Sequence, residues 1–84
     1  MWQVFLSDDV QKFLKKQDKQ IEVRIRKGLE KLKIDQPFHF LEHYEGEEVY
    51  KYRIGEYRAL IDVDFQNKVL KVQIVDHRSV VYKK

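Results

Sequence analysis

The sequence contains no cysteine. That removes disulfide staples, thiol nucleophiles and thiolate metal sites together, and it fits a reducing cytoplasm. Glycine occurs three times and proline once, which excludes flexible linkers and fibrous repeats and requires short turns. No apolar run approaches the roughly 20 residues that cross a bilayer as a helix, so no membrane partner is expected. Met1 to Asp9 lacks the basic start and long apolar stretch of a signal peptide. Charge of one sign is also scarce, with a formal net charge of +3. Residues 1–36 hold nine Lys/Arg against six Asp/Glu, and residues 37–84 hold eight against eight. So weak a global field leaves anion binding to a local cluster.

What remains is 37% charged and 13% aromatic, the composition of an ordered globular chain. At 10.3 kDa, residues 1–84 read as a single domain. A chain of this size buries little more than ~60% of its unfolded surface, so its core is thin.

Met1 to Leu6 alternates as a strand, with Trp2, Val4 and Leu6 on one face. Ser7 offers an N-cap hydroxyl, Asp8 and Asp9 suit a helix start, and Val10, Phe13 and Leu14 recur at helical spacing, predicting a helix to about Gln17. Asp18 can cap a second helix whose stripe is Ile21, Ile25, Leu29 and Leu32. Gly28 inside it costs about 1 kcal/mol relative to Ala, a cost that usually marks close packing. Pro37 ends that helix by Gln36. Residues 37–48 show no clean period and read as a connecting loop with aromatic plugs. Three strands follow: Val49 to Ile54, Tyr57 to Asp64 and Val69 to Asp76. Gly55-Glu56 suits a type II′ turn between the first two. The fold class is therefore α+β: one strand, a two-helix hairpin and a three-stranded antiparallel meander, with the helices on one face of a four-stranded sheet. Trp2, Phe5 and Phe13 are expected in its core.

The Gly55-Glu56 turn fixes a register. Ile54 faces Tyr57, Arg53 faces Arg58, Tyr52 faces Ala59 and Lys51 faces Leu60. A second turn at Gln66-Asn67 sets Asp62 against Lys71, Leu60 against Gln73 and Arg58 against Val75. One face then holds Tyr52, Ile54, Ala59, Ile61, Val63, Leu70, Val72 and Ile74, the core. The other holds Lys51, Arg53 and Arg58. Asp62 and Lys71 make a sensible cross-strand ion pair, whereas Arg53 opposite Arg58 destabilises the sheet. At ~6 Å and an effective dielectric of ~20 the repulsion is about 2–3 kcal/mol before solvent and side-chain splaying reduce it. A bound anion would turn that cost into a gain. Arg78 follows just past the neighbouring strand, and no carboxylate obviously stands among the four cations. Exposed strand cations are also common without any ligand, because they protect sheet edges.

The run Val49-Tyr50-Lys51-Tyr52-Arg53-Ile54-Gly55-Glu56-Tyr57-Arg58-Ala59-Leu60-Ile61 resembles the Tyr-Arg-hydrophobic-Gly-x-Tyr-Arg block of the RelE/ParE toxin superfamily. The ending His77-Arg78-Ser79-Val80-Val81-Tyr82 is similar to that family's terminal His-Arg-x-x-x-Tyr. The resemblance spans essentially the whole chain. It implies a RelE-like fold and the toxin of a type II toxin–antitoxin system. Its RelE branch comprises mRNA interferases that cleave mRNA in the ribosomal A site without metal or cofactor, the ribose 2′-hydroxyl attacking the adjacent phosphate. The partners it implies are a RelB-like antitoxin, the ribosome, mRNA and, for the toxin–antitoxin complex, operator DNA.

Carried over by residue, the resemblance implies Lys51 as base, Arg53 where RelE has a second lysine, Arg58 on the phosphate, Arg78 at the leaving group and Tyr82 stacked on an RNA base. A lysine takes a proton only when its surroundings favour the neutral amine, and Arg53 and Arg58 would act in that direction. His77 is a second candidate for proton transfer, since histidine titrates near neutrality and several relatives use one. The chain runs two residues past Tyr82, so the C-terminal helix of some relatives is expected to be missing or a turn. Two other readings stay open: a ParE-like inhibitor of DNA gyrase on the same fold, and a non-catalytic RNA-binding module. His39 and His43, spaced i,i+4, are better read as loop histidines among aromatics than as a metal pair.

Overall fold

The computed structural model describes residues 1–34, 36–46 and 48–81. Strand β1 spans Gln3–Leu6, helix α1 Asp8–Lys15 and helix α2 Lys19–Ile34. A single 3-10 turn covers Pro37–His39. Then come β2 (Leu41–Glu45), β3 (Val49–Ile54), β4 (Tyr57–Asp64) and β5 (Val69–His77). The sheet has five strands in the order β1-β5-β4-β3-β2. β1 runs parallel to β5 and the other pairs are antiparallel. No helix among the described residues is long and apolar enough to cross a membrane.

The four-stranded sheet expected from the sequence is thus corrected to five. Part of the stretch read as a loop, Leu41 to Glu45, pairs with β3 as an edge strand. Its pattern concealed it: only Leu41 is buried, while Glu42, His43 and Glu45 are exposed. A strand with one neighbour and one buried side chain has no visible alternation.

The β3–β4 register is as the turn predicts, with Arg53 paired to Arg58 and Lys51 to Leu60. Gly55 has φ +58 and Glu56 does not share the positive φ, which fits a type II′ turn and explains the glycine. The β4–β5 register agrees with the expectation only near its own turn, where Asp62 meets Lys71 and Val63 meets Leu70. Between Leu60 and Ile61 it slips by one residue, because Gln73 is an extra residue in β5. Beyond the bulge Ala59 pairs with Val75 and Arg58 with Asp76. Val75 rather than Ile74 therefore joins the core.

Ser7 fastens this bulge. Its amide donates to the Val72 carbonyl at 3.0 Å, and its hydroxyl donates to the Gln73 carbonyl at 2.8 Å. The same oxygen accepts the Val10 amide as the α1 N-cap. One serine thus ties the start of α1 to the displaced half of β5.

The core lies between the helices and one sheet face. Leu14, Ile25, Leu32, Ala59, Ile61, Leu70 and Val72 are completely buried, and each large aliphatic side chain so placed contributes about 1.5–3 kcal/mol. Gly28 lets α2 approach β3: a Cβ there would lie 3.0 Å from Ile54 Cγ2. The Gly28 carbonyl also accepts the Tyr52 hydroxyl at 2.7 Å. Trp2 and Phe13 pack against the core as expected, but Phe5 does not. It is 56% exposed, because its pairing with Lys71 puts it on the face the helices leave open.

Candidate functional site

That open face carries the cations. Alternation along β3 sends Tyr52 and Ile54 into the core and Lys51 and Arg53 to the other side. Lys51, Arg53 and Arg58, with Phe40 and Glu42 from the β2 edge, line one shallow pocket of about 50 Å³. Three of the residues singled out in the sequence are therefore brought together.

Arg58 is held there by neutral partners. Its Nη1 donates to the Gly55 carbonyl at 2.7 Å and to the Tyr57 carbonyl at 2.9 Å. Carbonyl dipoles orient a guanidinium without cancelling its charge, so it keeps its attraction for an anion. Arg78 is tied to the same turn by its backbone, whose amide donates to the Glu56 carbonyl at 2.8 Å. Its side chain is exposed, and Val81, three residues on, is fully buried and pins the tail. Tyr82 lies outside the described residues.

The cations are not without carboxylates, which corrects the sequence expectation. Glu42 is the register partner of Lys51, and its Oε2 lies 3.3 Å from Nζ. Asp76 stands opposite Arg58 in the ladder and accepts the His77 amide at 2.8 Å. Neither could be read from the chain: Glu42 needed β2 to be a strand, and Asp76 needed the bulge. Phe40, partly exposed beside the pocket, was also missed, being one of the supposed loop aromatics.

His77 is not brought to this pocket. It pairs with Tyr57, whose ring meets Phe13 of α1 on the helix-covered face, and the His77 ring packs edge-on against Tyr57 at 5.8 Å. Its Nδ1 accepts the Ser79 amide at 3.2 Å, and its Nε2 lies 3.5 Å from Glu56 Oε2. Alternation along the strand separates His77 from the cations, since Asp76 takes the open face.

Among the described residues, no group of three or more His, Cys, Asp or Glu is placed to hold a metal ion. His43 lies on β2 with its ring against Tyr50 at 5.3 Å, and His39 lies in the 3-10 turn. At the opposite end of the sheet, Phe38 and Phe65 stack at 5.4 Å, with Trp2 and Tyr50 edge-on to them.

Arg53 and Arg58 thus present cationic groups from both strands of the β3–β4 ladder, with the Glu42–Lys51 ion pair beside them. Comparison with known proteins adds to this. The family model described as ParE toxin of type II toxin–antitoxin system, parDE, matches residues 4–82. No curated protein matches the chain in sequence. Among solved structures, the fold is similar to a chain of the RelBE2 toxin–antitoxin complex from Mycobacterium tuberculosis, with TM-score 0.79 and 20% identity, covering 92% of this chain and 98% of that one. It is also similar to a chain of the archaeal RelE–RelB complex from Pyrococcus horikoshii OT3, with TM-score 0.78 and 23% identity over 95% and 98% of the two chains. For the intact Escherichia coli RelBE complex the TM-score is 0.74 and the identity 15%, over 92% and 96%.

Proposed function

Given that this chain belongs to the ParE toxin family of type II toxin–antitoxin systems, we propose that it acts on mRNA in the ribosomal A site as an endoribonuclease. The observation that carries this reading is the pocket in which Lys51, Arg53 and Arg58 converge. Cleavage through the 2′-hydroxyl passes through a phosphorane that carries more negative charge than the bound diester. Fixed cations favour that state most, and so lower the barrier. Arg53 and Arg58 contact the non-bridging oxygens. Arg58 is already oriented by two carbonyls, so little reorganisation accompanies binding. Arg78 supports the departing 5′-oxygen, Tyr82 stacks on the neighbouring base, and proton transfer takes place at the Lys51 position. His77, across the sheet, supports the backbone of the tail.

The partner that restrains such an activity is an antitoxin of the RelB kind, as in the complexes whose folds this chain shares. A second reading follows from the matching family model itself, which is that of ParE toxins: inhibition of DNA gyrase. That role makes no demand on a phosphate grip.

Translating ribosomes supplied with a defined message separate the readings. The nuclease reading predicts cut message, lost in Arg58→Ala and Arg78→Ala. Intact message with arrested gyrase supercoiling supports the second reading. Stable RNA binding with neither effect leaves a binding module.

A further inference from the structure

Among the described residues, the pocket is lined by one carboxylate, Glu42, and the sheet puts it there. Glu42 on β2 and Lys51 on β3 are register partners, their charged atoms are 3.3 Å apart, and both line the pocket with Arg53 and Arg58. Simple anion binding is weakened by a negative charge at this place. Holding the edge strand is a poor explanation too, because the Glu42 side chain is 63% exposed and exposed ion pairs contribute little.

The chemistry of 2′-hydroxyl attack gives that carboxylate a use. The attack needs a group that accepts a proton at neutral pH. Of the two side chains that face each other there, a carboxylate has lone pairs that accept a proton, whereas an ammonium has only protons to give. The geometry points to Glu42 as a catalytic residue, the base that takes the 2′-hydroxyl proton, with Lys51 as the ammonium beside it. This assignment rests on the nuclease reading above.

The step balances on this pair. As O2′ bonds to phosphorus, its proton passes to a Glu42 carboxylate oxygen. The P–O5′ bond breaks with its electron pair on O5′, which takes a proton from Lys51. The products are a 2′,3′-cyclic phosphate and a 5′-hydroxyl. The carboxylic acid and amine left side by side restore the ion pair when one proton crosses between them. Arg53 and Arg58 hold the non-bridging oxygens throughout.

The test compares the full chain with Glu42→Gln, Glu42→Asp and Glu45→Gln on translating ribosomes at single turnover. Binding of a message with 2′-deoxyribose at the cut site is measured in parallel. Glu42→Gln is expected to cut about 10²-fold or more slowly while binding the deoxy message as tightly or more tightly. Glu42→Asp recovers part of the rate. Glu45→Gln, which removes an exposed carboxylate of the same strand, cuts normally. A Glu42→Gln variant that cuts at the wild-type rate or faster overturns the assignment, as does one that loses binding together with cleavage. Either result, with an active wild type, leaves the nuclease reading standing. A wild type that cuts nothing overturns both.

Discussion

Arg58 lies directly across the β3–β4 ladder from Arg53, and its guanidinium is turned onto two carbonyl oxygens of the adjoining turn. Like charges opposite one another destabilise a sheet. The carbonyls fix one of the two and leave its charge in place, so the sheet holds two like charges face to face.

Removing either member should therefore cost function and little stability. Arg53→Ala and Arg58→Ala are each expected to unfold within about 1 kcal/mol of wild type, because relief of repulsion offsets what the side chain contributes, which for Arg58 includes its two bonds to carbonyls. Each should bind RNA at least ~10-fold more weakly, a loss of about 1.4 kcal/mol. Urea denaturation and RNA titration of the same preparations check both halves.

Gly28→Ala tests the contact between α2 and β3. Alanine gains about 1 kcal/mol of helix propensity, but its Cβ would meet three Ile54 atoms at 3.0, 3.2 and 3.3 Å. Ile54 is buried and β-branched, so it has little room to yield, and the net effect should be destabilising. Ile54→Ala removes all three atoms. The double variant Gly28→Ala/Ile54→Ala is therefore expected to be more stable than the sum of the single effects, as measured by a thermodynamic cycle.

Ser7→Ala removes both the α1 cap and the bond to the β5 bulge. A loss of about 1–2 kcal/mol is expected. Hydrogen exchange should quicken at Val10, whose amide loses its acceptor, and around Gln73, while amides of the β3–β4 ladder change only by the global amount.

Two side chains give stability a dependence on pH. Hydrogen bonds from the Asn67 side chain and amide hold the Asp64 carboxyl below its ordinary value. Folding is therefore favoured by its ionised form, and that contribution disappears as pH falls through the lowered folded value. Burial raises the Tyr52 hydroxyl above 10.0, so its contribution is full below that value and is lost as pH rises through the raised one. Asp64→Asn should flatten the acid limb and Tyr52→Phe the alkaline limb of a melting-temperature profile. A limb unchanged in its variant contradicts the assignment.

Legibility in the sequence followed how many neighbours each segment has. β3 and β4 are flanked on both sides and joined by a Gly-containing two-residue turn, so their alternation and register could be read to the residue. β2 has one neighbour and exposes Glu42 and His43, and an edge strand of that kind looks like a loop. The β5 bulge leaves no mark on composition: Gln73 and Ile74 alternate normally, and the extra residue shows in the ladder register and the Ser7 hydrogen bonds. These two hidden features placed the site's carboxylates, so the cations were legible and Glu42 and Asp76 were not. Phe5 misled because a large aromatic near the chain start suggests core, while its parity with Lys71 puts it on the open face.

The most direct test of the central claim is the chemistry of the cut ends. Message recovered from translating ribosomes exposed to this protein is mapped and its termini identified, with and without 2′-deoxyribose at the cut position. Hydroxyl attack directed by the Lys51, Arg53 and Arg58 pocket predicts 2′,3′-cyclic phosphate and 5′-hydroxyl ends, none of them from the deoxy message or from Arg58→Ala. Cleavage that persists at a deoxy position, or that leaves a 5′-phosphate, would contradict it.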